Sequence, residues 1–149
     1  MGIFSGFSRI FSRRLPPIRS GSTRSERGRY GEDLAAAYCR KELGYKLLAR
    51  NWRWERDELD LVCLDGEVLV FIEVRARSAR ARVGGFHSVD AKKKKALRRG
   101  CRAYINQLQN PPKHVRFDVT EVVLSDEGVG EIHHYQNVTL FSKHYSTLL

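Results

Sequence analysis

The segment Val68–Arg75 concentrates the groups in this chain that could do chemistry. As a strand it turns Val68, Val70, Ile72 and Val74 to one face and Leu69, Phe71, Glu73 and Arg75 to the other. A carboxylate and a guanidinium about 6.5 Å apart then interrupt an apolar run at the edge of a core. The run Glu58–Leu64 behaves similarly: under strict alternation Leu59, Leu61 and Cys63 share one face, and Glu58, Asp60 and Val62 the other. Between the two runs, Asp65-Gly66 is a hairpin turn signal, and folding back through it sets Asp60 beside Glu73. Two carboxylates that close repel and raise one pKa unless a cation sits between them. Mg2+ suits such a pair because it takes a few carboxylate oxygens and leaves its other positions to water and phosphate. The alternative for the same residues is a set of solvated cross-strand pairs, worth about 0.2 to 1 kcal/mol each.

A second concentration of charge lies downstream. Lys92, Lys93, Lys94, Lys95, Arg98, Arg99 and Arg102 place seven cations within eleven residues, with no acid among them. A solvated helix face is the plain reading, but like charges at i, i+4 destabilise a helix that lacks counterions. Arg75, Arg77, Arg80 and Arg82 lead from the acidic strand toward the same helix. Cations arranged beside an acidic site are what a phosphate backbone needs, and Arg77, Lys92, Lys93, Lys94 and Arg98 are the candidates to bind it. Trp52 and Trp54 alternate with Arg53; core or rim packing is the first expectation for them, and stacking on a splayed base the second. His133 and His134 face opposite sides of a strand, which is poor metal geometry, and His87 is a loop candidate for catalysis. No Ser-His-Asp signature, P-loop or dinucleotide-binding glycine pattern is present.

The elements that must hold these groups follow from periodicity. Leu34, Ala35, Tyr38 and Cys39 form one apolar stripe, which predicts a helix over 31–43 stopped by Gly44. Strands are expected at Lys46–Trp52, Glu58–Leu64 and Val68–Arg77. After a Gly-rich loop, Val83–Phe86, a long helix runs from about Val89 to Leu108 on a core face of Leu97, Cys101, Tyr104, Ile105 and Leu108. Two more strands, Val115–Leu124 and Glu131–Leu140, complete the order α-β-β-β-α-β-β. An α/β domain with a mixed sheet is the economical reading.

At 149 residues the chain has room for one domain. Residues 1–29 carry seven Arg against the single acid Glu26. They read as a flexible basic arm, next as an interfacial amphipathic helix built on Ile3, Phe4, Phe7, Ile10 and Phe11, and last as a transit peptide. The domain is expected over 30–141, with a tail at 142–149. Lys and Arg total 27 against 17 Asp and Glu, a formal charge of +10. That favours a polyanionic partner, nucleic acid before an anionic membrane surface. No stretch approaches the roughly 18 apolar residues of a membrane-spanning helix. Cys39, Cys63 and Cys101 form no CxxC pair, which argues against a disulfide framework or a cysteine zinc site and suits the cytoplasm.

Six short motifs then fall in one order: Gly31-Glu32-Asp33; Arg50-Asn51-Trp52-Arg53; Asp57-Glu58-Leu59-Asp60-Leu61-Val62; Val70-Phe71-Ile72-Glu73-Val74-Arg75-Ala76-Arg77; Val89 with Lys93; and Arg116-Phe117-Asp118-Val119. The series, over about residues 28–124, resembles the YraN-type family of uncharacterised bacterial proteins. That family resembles in turn the PD-(D/E)XK nuclease superfamily, which has a restriction-endonuclease-like fold. The resemblance implies a three-layer α/β/α domain that hydrolyses phosphodiesters with Mg2+ or Mn2+ and acts on DNA or structured nucleic acid. It implies Glu32, Asp60 and Glu73 as metal ligands, Asp60, Glu73 and Arg75 as the catalytic set, and Lys93 as a phosphate contact. Arg75 stands where the superfamily has Lys. A guanidinium stays protonated and cannot act as a base, although it can stabilise a charged transition state. Asp57 stands where the family usually has Gly. A nucleic-acid-binding module that keeps the fold without hydrolysis is the alternative implied by Arg75.

Overall fold

The computed structural model of the chain describes residues 9–14, 18, 19, 21–79, 90–125 and 129–141. Three strands, β2 (Lys46–Trp54), β3 (Asp57–Asp65) and β4 (Val68–Ser78), form an antiparallel meander. Its tight turns are made by Glu55-Arg56 and Gly66-Glu67, with Glu55 and Gly66 in the left-handed region at φ 52° and 59°. Helix α2 (Ala91–Asn106) lies between β4 and β5 (His114–Leu124), and β5 runs parallel to β4, a connection no tight turn could make. β6 (Val129–Tyr135) returns antiparallel to β5, and β1 (Arg9–Arg14) pairs with β6. The result is a mixed six-stranded sheet in the order β1-β6-β5-β4-β3-β2.

The alternating side chains of the central strands divide between two helices. Leu61, Cys63, Val70, Ile72 and Val122 pack with Ala35, Ala36, Tyr38 and Cys39 of α1 (Arg24–Lys41). Val62, Leu69, Phe71, Phe117 and Val119 pack with Leu97, Cys101, Tyr104 and Ile105 of α2. This is the three-layer α/β/α arrangement expected, and the order α-β-β-β-α-β-β is present behind one added strand. Two glycines let the helices sit close to the sheet. A Cβ on Gly31 would stand 2.7 Å from Ala76 Cβ, and one on Gly100 would stand 3.1 Å from Leu59 Cδ2. Each glycine lies one turn or less from a charged residue of interest, Glu32 on α1 and Arg99 on α2.

Several boundaries differ from the sequence reading. The segment set outside the fold contains β1 and the start of α1. The helix begins at Arg24 because Thr23 and Glu26 form a capping box: the Glu26 amide donates to Thr23 Oγ1 at 3.2 Å, and the Thr23 amide donates to Glu26 Oε2 at 2.7 Å. Ile10 and Phe11, counted at helical spacing, belong to β1. β6 ends at Tyr135 rather than Leu140, because Asn137 turns the chain at φ 55° and the Val138 amide donates to the Phe117 carbonyl. The glycine-rich loop, Arg80, Arg82, His87, Val89 and residues 142–149 lie outside the described residues. Cys39, Cys63 and Cys101 are buried free thiols. Among the described residues no helix is long and apolar enough to cross a membrane.

Beneath α1 lies a fully bonded polar network. The buried carboxylate of Asp118 accepts from Arg116 Nε at 2.8 Å, Arg116 Nη2 at 3.0 Å, the Asn137 amide at 2.9 Å and His134 Nε2 at 3.0 Å. An ionised carboxylate only accepts, so the proton belongs on His134 Nε2, and Nδ1 is left to meet Thr120 Oγ1 at 2.8 Å. Burial alone would raise the Asp118 pKa, but the bonds from His134, Arg116 and Asn137 outweigh it and hold the pKa below its ordinary value. A carboxyl lowered in the folded state stabilises above the unfolded range near pH 4, and its contribution fades as pH falls through the folded value. Urea unfolding of Asp118→Asn is expected to show a loss of about 3 kcal/mol at pH 7. The gap should narrow toward pH 2; a gap independent of pH would show that the charge on Asp118 is irrelevant.

Candidate functional site

The site begins where two strands separate. The β3–β4 ladder runs from Asp65 opposite Val68 to Leu61 opposite Ile72 and stops there. At the next position Asp60 Oδ2 accepts from the Val74 amide at 2.8 Å, so a side chain replaces a rung of the ladder. On its other side β3 also lacks a rung between Asp60 and Asn51, and Asn51 takes a left-handed φ of 48°. The alternation of both strands reverses at this point. Leu59 packs in the α2 cluster, whereas Leu61 and Cys63 pack under α1. Strict alternation had placed all three together; the left-handed residue and the missing rung are the physical reason it fails. The reversal carries Trp52 and Leu59, which are register partners, to the α2 side.

Asp60 and Glu73 are brought together as the hairpin arithmetic required. Burial first, and the Glu73 carboxylate second, push the Asp60 pKa up to about 7, against the Val74 amide and Lys93. Glu73 is buried at 5% exposure. Lys93 Nζ stands 3.2 Å from its Oε1, and Arg75 Nε stands 3.6 Å from the same oxygen. Glu73 Oε2 and Arg75 Nε are buried without a hydrogen-bond partner among the described residues. Glu32 projects from α1 and its charge acts on Asp60; burial raises its pKa, and a hydrogen bond with the Asn51 side chain opposes the shift. Among the described residues no three His, Cys, Asp or Glu side chains converge as a metal-binding group. The acidic pair is therefore assembled, and Glu32 is tied to Asn51 instead of closing a trio.

The cations divide into two sets. Lys92, Lys93 and Lys94 occupy the first turn of α2, where Asp90 caps the helix by accepting from the Lys93 amide at 2.7 Å. Arg98 is turned to the Leu140 carbonyl at 3.2 Å, and Arg77 donates through Nε to the buried Glu121. Both were expected to face a phosphate backbone, and both have an internal partner. Arg99 makes a bidentate pair with the buried Asp57 at 2.9 and 2.8 Å, which ties α2 to the start of β3.

Asn51, Asp57 and Glu121 border the site without belonging to the acidic and basic sets that spacing marks. Glu121 interrupts an apolar run as Glu73 does, so the signal was there to read. Asn51 is a weak strand former that tolerates a left-handed φ, which marks an irregularity without locating it. Trp52 packs edge-on against Tyr104, as rim packing predicts, but Trp54 remains 52% exposed.

The α/β/α architecture is the one the motif series implied. The family profile described as Uncharacterised protein family UPF0102 matches residues 31–122, and the chain belongs to that family. A UPF0102 protein of Pseudomonas aeruginosa is 42% identical over 102 residues, which cover 68% of this chain and 81% of the relative. Relatives from Chlorobaculum parvum and Chlorobium phaeobacteroides are 37% and 35% identical over 109 residues, 73% of this chain and 84% and 86% of theirs.

The raised pKa of Asp60 has a definite sign in stability. A carboxyl whose folded pKa lies above its unfolded value disfavours the folded state increasingly as pH rises from about 4 toward 7. With divalent ions chelated, stability of the parent chain is expected to fall between pH 5 and pH 8. Asp60→Asn keeps an acceptor for the Val74 amide, so its profile should be flatter and it should end about 1 to 3 kcal/mol more stable at pH 8. Parallel profiles would mean that Asp60 does not carry the repulsion.

Proposed function

We propose that the protein is a Mg2+- or Mn2+-dependent phosphodiester hydrolase of DNA or structured nucleic acid, working in the cytoplasm, where free thiols persist. The observation that carries this reading is the half-buried Asp60 beside the buried Glu73, whose Oε1 meets the Lys93 ammonium while its Oε2 has no hydrogen-bond partner among the described residues. Carboxylate oxygens are the donors that Mg2+ selects, and one or two of them suffice when phosphate supplies others. Asp60 and Glu73 fit that requirement and would hold the ion, with Glu32 contributing charge from α1. The ion's chemistry there is Lewis-acid polarisation of a phosphodiester oxygen.

The remaining tasks fall to this chain's own groups. Lys92, Lys93 and Lys94 stand at the positive end of α2, where an anion is favoured by both the helix and the side chains. They hold the backbone beside the acids. Arg75, fixed near Glu73 and always protonated, donates to the charge that develops on phosphorus oxygens. It cannot accept the proton of the attacking water.

A binding module without hydrolysis is supported by one observation: Glu73 already has two cations, Lys93 and Arg75, within 3.6 Å. Incubation with branched, nicked and single-stranded DNA in Mg2+ or Mn2+ separates the two readings. Cleavage is expected on at least one substrate, with a loss of about a hundredfold or more in Asp60→Ala and Glu73→Ala. Salt-sensitive binding with no cleavage would favour the module, and cleavage that survives both substitutions would end the hydrolase reading.

A further inference from the structure

The exposed edge of β2 carries a feature that the acidic pair does not use. Trp52 and Trp54, the only two tryptophans of the chain, lie parallel with centroids 6.4 Å apart and an interplanar angle of 7°. The spacing is that of residues i and i+2 on a strand, about 6.6 Å, so both rings project from one face of the sheet. Trp52 is braced by Tyr104, with centroids 5.2 Å apart at 83°, and Tyr104 is braced by Phe71 at 5.8 Å and 87°. Among the described residues Trp54 has no such neighbour beyond Trp52. It is 52% exposed, and no further ring or cation contact to it occurs among the described residues. An indole stacked on one neighbour and left half open to water invites a flat partner.

The surroundings say which partner. Trp54 is the register partner of Asp57, and Asp57 holds Arg99, so a guanidinium of 40% exposure lies on the tryptophan's own side of the sheet. Arg99 belongs to a stripe of α2, Lys92, Lys95, Arg99 and Arg102, at the spacings i, i+3, i+7 and i+10. The stripe starts beside Lys93, the residue that meets Glu73, and passes the hairpin that carries Trp54. An apolar flat face bordered by cations complements a nucleobase attached to its phosphates. A second copy of a chain bearing +10 would bring like charge to the same place.

We propose that Trp54, backed by Trp52, is a stacking platform for an unpaired base, and that the preferred ligand is single-stranded nucleic acid or a single-stranded branch. Its phosphates run along α2 toward Glu73. This inference rests on the proposed nucleic-acid reading and narrows it, since a duplex keeps its bases stacked on one another and offers none to the indole.

Both tryptophans report directly. The full chain is titrated, with EDTA present, with a dT12 single strand and with a 12-base-pair duplex, reading tryptophan emission and oligonucleotide anisotropy. The single strand is expected to quench emission, and the duplex to leave it nearly unchanged. Trp54→Ala should weaken single-strand binding about tenfold while duplex binding stays the same, and Trp54→Phe should retain most of the affinity. Equal quenching by both ligands, or single-strand binding unaffected in Trp54→Ala, overturns the platform and leaves the nucleic-acid reading standing. Failure of both ligands to bind at low salt overturns the two together. A concentration-dependent dimer in sedimentation that Trp54→Ala abolishes would assign the face to a second copy and remove the base.

Discussion

The hydrogen bond from the Val74 amide to the Asp60 carboxylate is the interaction on which the site depends. In a regular hairpin that amide would donate to a backbone carbonyl. Here a side chain takes the bond, and the β3–β4 ladder breaks at Asp60, the residue before Leu61. A bond of this kind favours the charged carboxylate, whereas burial and the Glu73 charge disfavour it more strongly, with the net result a pKa near 7. The fold thus maintains a carboxylate in a place where it is held at a cost. Asn51, opposite Asp60, accommodates the break with a left-handed φ, and its side chain reaches Glu32 on α1. One local irregularity accordingly connects three elements, and it redirects Leu59 and Trp52 toward α2.

Two buried acids of the sheet, Asp118 and Glu73, are held in different ways. Asp118, on the α1 face, has four hydrogen bonds from three residues and a pKa held low. Nothing about it is incomplete. Glu73, on the α2 face, has two cations beside one oxygen and, among the described residues, no hydrogen-bond partner on the other. A buried polar atom without a bond costs about 1 to 3 kcal/mol, more if charged, and such atoms are uncommon in folded proteins. The completed network reads as architecture. The uncompleted one reads as a place prepared for something that arrives later.

Legibility in the sequence followed the same division. The neighbourhood of Asp60 and Glu73 was readable because a two-residue turn fixes register, and counting back from Asp65-Gly66 holds as far as Leu61 and Ile72. Counting fails one step later, at Leu59, because alternation presumes a rung at every pair and the Asn51–Asp60 rung is missing. The start of α1 is readable in principle from Thr23 and Glu26, whose capping box lies within an arginine-rich stretch that has the composition of a flexible arm. Arg77 shows a different limit. Its place on β4 was correct, but its partner Glu121 lies on a strand 44 residues away, and only tertiary pairing of β4 with β5 brings the two together. Charge counts locate cations; they do not say which of them are already taken.

Arg98 is committed to the Leu140 carbonyl and Arg99 to Asp57, so these side chains fix α2 in place as well as charging it. Among the described residues the lysines of the first turn make one ion pair, that of Lys93 with Glu73. Four consecutive lysines at the positive end of a helix dipole are unfavourable by any local measure. Their presence makes physical sense if an anion completes the arrangement, because one phosphate group can satisfy the helix terminus and several ammonium groups together. The same anion would free Lys93 from Glu73 and open that carboxylate to a divalent ion. Under the proposed function, then, the Lys93–Glu73 pair is the resting form of the site, and phosphate is what exchanges its partners.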